Sequence, residues 1–120
     1  MEWVAVVPER EIPPGTRHVS AVRDVEILLV NHQGQIYALD NRCPHMEARL
    51  EKGEITPDGA IVCPRHRSVF DLKTGVVLDW APWPPVVGRA LGAIRQERPV
   101  RVYPTKVEDG TVLVGIEDSG

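Results

Sequence analysis

Each of the two cysteines in the chain is followed by a histidine two or three residues later. The sequence contains Cys43-x-His45, then seventeen intervening residues, then Cys63-x-x-His66. Thiolate and imidazole groups together bind zinc or iron–sulfur clusters. A zinc finger usually takes its cysteines from one turn and its histidines from another, whereas each turn here supplies one of each. The pattern therefore favours a two-iron cluster, in which one iron takes both thiolates and the other both imidazoles, and leaves a zinc site as the alternative.

The residues around these four side chains resemble the Rieske [2Fe–2S] family. The two cluster-binding loops of Rieske-type ferredoxins are similar to "LDNRCPHMEARLEKGEI" and "IVCPRHRSVFDLKTG". The resemblance implies one [2Fe–2S] cluster per chain, with Cys43 and Cys63 on the inner iron. The outer iron, near the surface, takes the imidazoles of His45 and His66. Four further residues line the cluster or stiffen its loops in this interpretation: Pro44, Pro64, Ser68 and Phe70.

The respiratory members of this family have a disulfide between the two loops and a tyrosine hydroxyl that donates to a ligand sulfur. This chain has Ala48 and Arg65 at the disulfide positions and Phe70 at the tyrosine position. It keeps Ser68, whose hydroxyl is implied as a donor to a bridging sulfide. These differences indicate the low-potential branch of the family, with a reduction potential on the order of −150 mV.

The residue after the second histidine is Arg67, where the family usually has glycine. Glycine at that point permits a positive φ or a close approach of the backbone to the cluster, so the arginine bears on the shape of the loop. Arg65 and Arg67 are also the candidate docking residues for an acidic redox partner. Glutamates nearby make a mixed, solvated rim the alternative.

Composition excludes several classes of protein. The chain has 120 residues and a formal net charge of −3, whereas nucleic-acid binders are usually basic. No apolar run approaches the roughly eighteen residues of a transmembrane helix, and "MEWVAVVPER" lacks the pattern of a secretory signal. We therefore expect a cytoplasmic protein without nucleic-acid or membrane partners, in which the cysteines stay reduced.

Eleven prolines and ten glycines favour short strands and turns over long helices. A first strand is predicted at 2–8, and apolar runs on either side of Gly34 and of "EDG" predict two β-hairpins. Short strands are predicted between them by "GAIVC", "SVFDL" and "GVVLDW", and a short helix by "GRALGAIRQE". The predicted fold is all-β, the Rieske fold, as one domain over 1–120. Its antiparallel base spans 1–40 and about 98–120, and the loop-rich cluster-binding insertion spans about 41–97.

The resemblance implies a soluble one-electron carrier that passes electrons from a reductase to a terminal oxygenase and is not itself an enzyme. Two alternatives remain open, namely the small subunit of an assimilatory nitrite reductase, which shares this fold, and a zinc-stabilised binding module. His18 and His32 are predicted to be ordinary surface or turn histidines. Asp71 is predicted to brace a turn. Trp80 and Trp83 are predicted to pack beneath the proline cluster "WAPWPPVV", which is similar to the covering loop of the family.

Overall fold

A computed structural model of the chain describes residues 2–43, 49–64, 67–79 and 99–116. Within these ranges the chain forms eleven β-strands and two short 3-10 helices, and no α-helix. The 3-10 helices are Glu9–Glu11 and Leu50–Lys52. The strands are β1 (Glu2–Pro8), β2 (Arg17–Val22), β3 (Val25–His32), β4 (Gln35–Asp40), β5 (Glu54–Ile55), β6 (Ala60–Val62), β7 (Val69–Asp71), β8 (Val77–Asp79), β9 (Val102–Tyr103), β10 (Thr105–Glu108) and β11 (Thr111–Ile116).

The strands form three antiparallel sheets. Their orders are β1–β11–β10, β2–β3–β4–β9 and β5–β6–β7–β8. The first two sheets combine strands from both ends of the chain, whereas the third is built only from its middle. The prediction of an all-β antiparallel fold is therefore confirmed, while the boundaries given for base and insertion stay predictions. None of the described helices is long or apolar enough to cross a bilayer.

Both predicted hairpins are confirmed, and their turns explain why the sequence revealed them. Gln33 and Gly34 have φ of 55° and 90°, and Asp109 and Gly110 have φ of 52° and 77°. Two consecutive positive φ values match the right-handed twist of the flanking strands, and glycine takes the second position without steric cost. A third hairpin, β2–β3, was not predicted, because its turn uses Arg23 with φ of 55° and has no glycine.

Strand β3 separates two hydrophobic cores. Successive side chains of a strand point to opposite faces, so Ile27 and Leu29 enter one core while Leu28 and Val30 enter the other. The first core lies between the two base sheets. The second joins the base to the third sheet, and its other buried members are Leu39, Cys43, Leu50, Ile61, Cys63, Phe70, Leu72 and Val100. Both cysteines are therefore placed in the core that links the two parts of the fold.

The predicted helix "GRALGAIRQE", the proline cluster, Trp80 and Trp83 all fall in 80–98, outside the described residues. These expectations stay predictions.

Candidate metal centre

The two cysteines lie at the ends of strands from different sheets and meet in one core. Cys43 follows β4 by three residues and is 0% exposed, and Cys63 directly follows β6 and is 1% exposed. These two described residues are not joined by a disulfide. The predicted histidine ligands His45 and His66 fall outside the described residues, as do Pro44 and Arg65. The ligand set therefore stays a prediction, and the structure places its two cysteines in one hydrophobic core.

A β-hairpin holds the second loop. Strands β6 and β7 pair antiparallel, with Ile61 opposite Phe70 and Val62 opposite Val69. One step beyond the register, the Cys63 amide donates to the Ser68 carbonyl oxygen at 2.8 Å. The Arg67 amide donates to the Cys63 carbonyl oxygen at 3.0 Å. Two backbone hydrogen bonds thus tie Cys63 to Arg67 and Ser68, on either side of the predicted ligand His66.

Arg67 has a left-handed backbone, with φ of 62°. This conformation costs an L-residue with a Cβ atom roughly 1–2 kcal/mol, whereas glycine adopts it freely. A left-handed backbone at this position accounts for a preference for glycine there, and Arg67 adopts that backbone in this chain. The side chain of Arg67 is exposed.

Ser68 and Phe70 both lie on the interior side of the second loop, and each is 0% exposed. Phe70 is the largest fully buried side chain among the described residues. Ser68 is one of three buried polar residues in the same ranges, with Asn31 and Asn41. The two thiols are enclosed by aliphatic and aromatic side chains and form a pair of soft donors shielded from water. The buried Ser68 supplies a hydroxyl in the same loop, and hydrogen bonds to cluster sulfurs tune such centres. This arrangement fits an iron–sulfur cluster.

The first loop is anchored by Asn41, which sequence reasoning missed. Its Nδ2 donates to Glu26 Oε1 at 3.0 Å and to Glu51 Oε1 at 3.1 Å, and its Oδ1 accepts from the Glu51 amide at 2.8 Å. Glu51 also pairs with Arg49, at 3.1 Å. The hydrogen bonds from Asn41 and Arg49 lower the pKa of the Glu51 carboxyl. Asparagine two residues before a predicted ligand is a weak signal, because its partner Glu51 lies ten residues away in a short 3-10 helix that the sequence did not predict.

The end of β4, where the first loop begins, is fixed by the returning chain. The Asp40 amide donates to the Arg101 carbonyl oxygen at 2.9 Å, and the Tyr103 hydroxyl donates to Asp40 Oδ1 at 2.6 Å. Burial and this hydrogen bond raise the pKa of Tyr103 well above its usual value, so the hydroxyl stays protonated as the donor. The Arg101 guanidinium lies 5.0 Å from the centre of the Tyr103 ring.

Asp71 braces a turn, as predicted. Its Oδ2 accepts hydrogen bonds from the amide and the hydroxyl of Thr74, at 3.0 and 2.8 Å. His18 lies in β2 opposite Leu29, and His32 ends β3 with its ring facing Gly59. Over the part of the chain that the structure describes, no group of three or more histidine, cysteine, aspartate or glutamate side chains is arranged to hold a metal.

Comparison with known proteins identifies the family. A model of the Rieske [2Fe-2S] domain matches residues 2–104. The ferredoxin component of the alkene monooxygenase system of Xanthobacter autotrophicus is 31% identical over 117 residues, which cover 98% of this chain and 84% of that protein.

Two solved structures support the same conclusion. The ferredoxin of carbazole 1,9a-dioxygenase from Nocardioides aromaticivorans is 27% identical with a TM-score of 0.77, and the match covers 98% of this chain and 100% of that chain. A chain in the complex of reduced oxygenase and oxidized ferredoxin in carbazole 1,9a-dioxygenase is 25% identical with a TM-score of 0.72, covering 93% of this chain and 91% of that chain. The chain belongs to the Rieske [2Fe-2S] domain family and carries that family's cluster.

Proposed function

We propose that the chain is the ferredoxin component of a multicomponent oxygenase system, carrying single electrons from a reductase to a terminal oxygenase. The observation that carries the proposal is the enclosure of Cys43 and Cys63 in one water-excluding core. Relatives named as ferredoxin components match almost the whole chain. An electron-transfer component needs a shielded redox centre and a docking face, and no catalytic group of its own.

The chain's own residues hold and shield the redox centre. When bound, the cluster accepts and releases one electron. Cys43 and Cys63 supply its buried thiolates, and we propose His45 and His66 as its outer ligands. Because Leu50, Ile61 and Phe70 are fully buried around the cysteines, water is excluded from this side of the site. An apolar enclosure reduces solvent reorganisation when the charge of the cluster changes.

The docking face is proposed at the tip of the second loop. Arg67 is exposed there, adjacent to the proposed outer ligand His66, and Arg42 is exposed next to Cys43 on the first loop. With Arg65, these arginines offer positive charge to acidic groups of a redox partner, and such charges act mainly on the rate of encounter. A cytoplasmic location is part of the proposal, because a reducing compartment keeps the cysteines available as ligands.

Metal analysis and electron transfer test the proposal. Anaerobically purified protein should contain about two irons and two acid-labile sulfides per chain and should take up one electron per cluster. Stoichiometric zinc without sulfide would contradict the cluster itself. Reductase and terminal oxygenase from the alkene monooxygenase or carbazole 1,9a-dioxygenase system can serve as surrogate partners. Failure of the reduced holoprotein to pass electrons to either oxygenase would contradict the carrier role while leaving the cluster in place.

A further inference from the structure

We propose that Asn41 is the positioning residue of a non-covalent clasp that holds the two ligand loops in register. The clasp consists of Asn41, Glu51, Gly53 and Arg17. This inference rests on the proposed function, since it concerns the placement of the cluster's ligands. This chain has no pair of cysteines that could bridge the two loops. In the clasp, hydrogen bonds and one close backbone contact couple them instead.

Asn41 ties the start of the first loop to its end. It lies two residues before Cys43 and is 2% exposed. Its side chain makes two hydrogen bonds to Glu51. Nδ2 donates to the carboxylate at 3.1 Å, and Oδ1 accepts from the backbone amide at 2.8 Å. The backbone amide of Asn41 donates to the Glu26 carbonyl oxygen at 3.0 Å, which fixes Asn41 to β3. Partly buried hydrogen bonds between Asn41 and Glu51 therefore tie together the two ends of the segment that carries Cys43.

Arg17 holds the segment that follows. Its guanidinium Nη1 donates to the carbonyl oxygens of Glu51 at 2.7 Å and of Gly53 at 2.6 Å. Because Arg17 belongs to β2, these bonds fix the end of the first loop to the base sheet. A charged donor shared between two carbonyl oxygens is stronger than a neutral one.

Gly53 brings the first loop against the second. A Cβ atom at this position would collide with the Val62 carbonyl oxygen, and Val62 is the residue immediately before Cys63. The absence of a side chain thus permits direct backbone contact between the two loops. Hydrogen bonds thus link Asn41 to Glu51, and Arg17 links Glu51 to Gly53. Gly53 in turn contacts Val62, the residue before Cys63. A displacement of either loop must therefore disturb the other.

A buried asparagine elsewhere in the chain provides a matched control. Asn31 is 6% exposed, donates to the Ile12 carbonyl oxygen at 2.7 Å and accepts from the Gly34 amide at 2.9 Å. It stabilises the β3–β4 turn and contacts neither ligand loop in these bonds. Asn31→Ala and Asn41→Ala both delete a buried, satisfied amide, so both lower the stability of the fold. Only the second should alter the cluster.

The experiment compares the two holoproteins at urea concentrations that give equal fractions folded. We expect Asn41→Ala to lose its cluster to a chelator at least tenfold faster than Asn31→Ala and wild type. We also expect broader EPR lines from its reduced cluster, because the ligand loop samples more positions. The Glu51 amide should exchange with solvent at least tenfold faster in Asn41→Ala. Equal chelation rates and identical EPR spectra in the two variants would overturn the clasp.

A second pair of variants applies if Asn41→Ala does not fold. Arg17→Met keeps the aliphatic stem but removes the donors to Glu51 and Gly53, and Arg10→Met on the 3-10 helix Glu9–Glu11 is its control. Faster cluster loss in Arg17→Met alone supports the clasp, and equal rates in both overturn it. A wild-type protein without iron and sulfide would instead contradict the proposed function.

Discussion

The backbone amide of Cys63 donates a 2.8 Å hydrogen bond to the carbonyl oxygen of Ser68. The bond extends the β6–β7 register by one step and places both residues at the base of the second ligand loop, each almost fully buried. Ser68 is thus a buried hydroxyl residue held next to a predicted ligand. This relationship makes Ser68 the first residue to test for an influence on the reduction potential.

We predict that Ser68→Ala lowers the reduction potential by about 60 mV, which corresponds to a tenfold loss of preference for the reduced state in a one-electron couple. A hydroxyl that donates to sulfur stabilises the reduced cluster more than the oxidised one, because the reduced cluster carries more negative charge. Protein-film voltammetry at neutral pH measures the shift. Ser20→Ala in β2 is the control, and an equal shift in both variants would show that Ser68 does not act on the cluster.

The proposed ligands can be separated from the other histidines by substitution. His45→Ala and His66→Ala should each abolish the cluster, whereas His18→Ala and His32→Ala should retain it, because only the first pair follows a cysteine at ligand spacing. The two ligand variants should also be less stable, since cluster binding contributes folding free energy. Iron and sulfide analysis provides the measurement. Loss of iron from the His32 variant together with its retention in the His66 variant would refute the assignment.

Arg67→Gly should stabilise the protein by about 0.5 kcal/mol. Relief of a left-handed backbone at φ of 62° is worth roughly 1–2 kcal/mol, and the greater entropy of glycine in the unfolded chain offsets about 0.5–1 kcal/mol of it. Urea unfolding of the anaerobic holoprotein measures the change. Gln33→Gly, at φ of 55° in the β3–β4 turn, is a matched control without a charge and should respond similarly. A clear loss of stability in Arg67→Gly alone would mean that the arginine side chain stabilises the loop.

The reduction potential should depend on pH only in the alkaline range. We expect a value on the order of −150 mV that is constant around neutrality. Oxidised iron withdraws electron density from a bound imidazole, so the oxidised state releases the second ring proton more readily. Deprotonation then favours the oxidised state, and the potential should fall by about 59 mV per pH unit for each coupled proton. Voltammetry from acidic to strongly alkaline pH tests this, and a constant potential throughout would argue against imidazole ligands.

The hairpins that the sequence predicted are those with local signals. Gly34 and Gly110 mark turns that need positive φ, and apolar residues flank both. The β2–β3 hairpin was missed because Arg17 and His18 make the start of β2 look like a polar loop. Its turn, which contains Arg23, has no glycine to mark it. Its position depends instead on pairing with β3, which sequence periodicity does not encode.

The candidate metal centre also combines residues with local sequence signals and residues whose roles depend on distant partners. Cys43 and Cys63 were predicted as ligands because ligand chemistry restricts residue type and spacing along the chain, and the structure places both in one core. Asn41 and Gly53 were missed because their roles depend on partners distant in sequence: Glu51 for the asparagine, and the Val62 carbonyl oxygen for the glycine. Only the close approach of β6 to residue 53 in the folded chain makes glycine necessary at that position.

Glu51 should make the stability of the first loop sensitive to acid. Hydrogen bonds from Asn41 and Arg49, and the positive charge of Arg49, lower its pKa below the ordinary 4.5. The folded state therefore holds the proton less tightly than the unfolded state. The resulting stabilisation is present above pH 4.5 and is lost as the pH falls through the lower pKa of the folded state.

Glu51→Gln should consequently lose stability relative to wild type at pH 6 and approach it near pH 3. The effect should be modest, because the carboxylate is solvent-accessible and its ion pair with Arg49 is screened. Urea midpoints at several pH values, with the Glu51 amide exchange rate measured alongside, provide the test. Glu54→Gln in β5 controls for the loss of one glutamate charge. A wild-type advantage that is the same at pH 6 and pH 3, or one that Glu54→Gln reproduces, would show that Glu51 does not couple acid to the clasp.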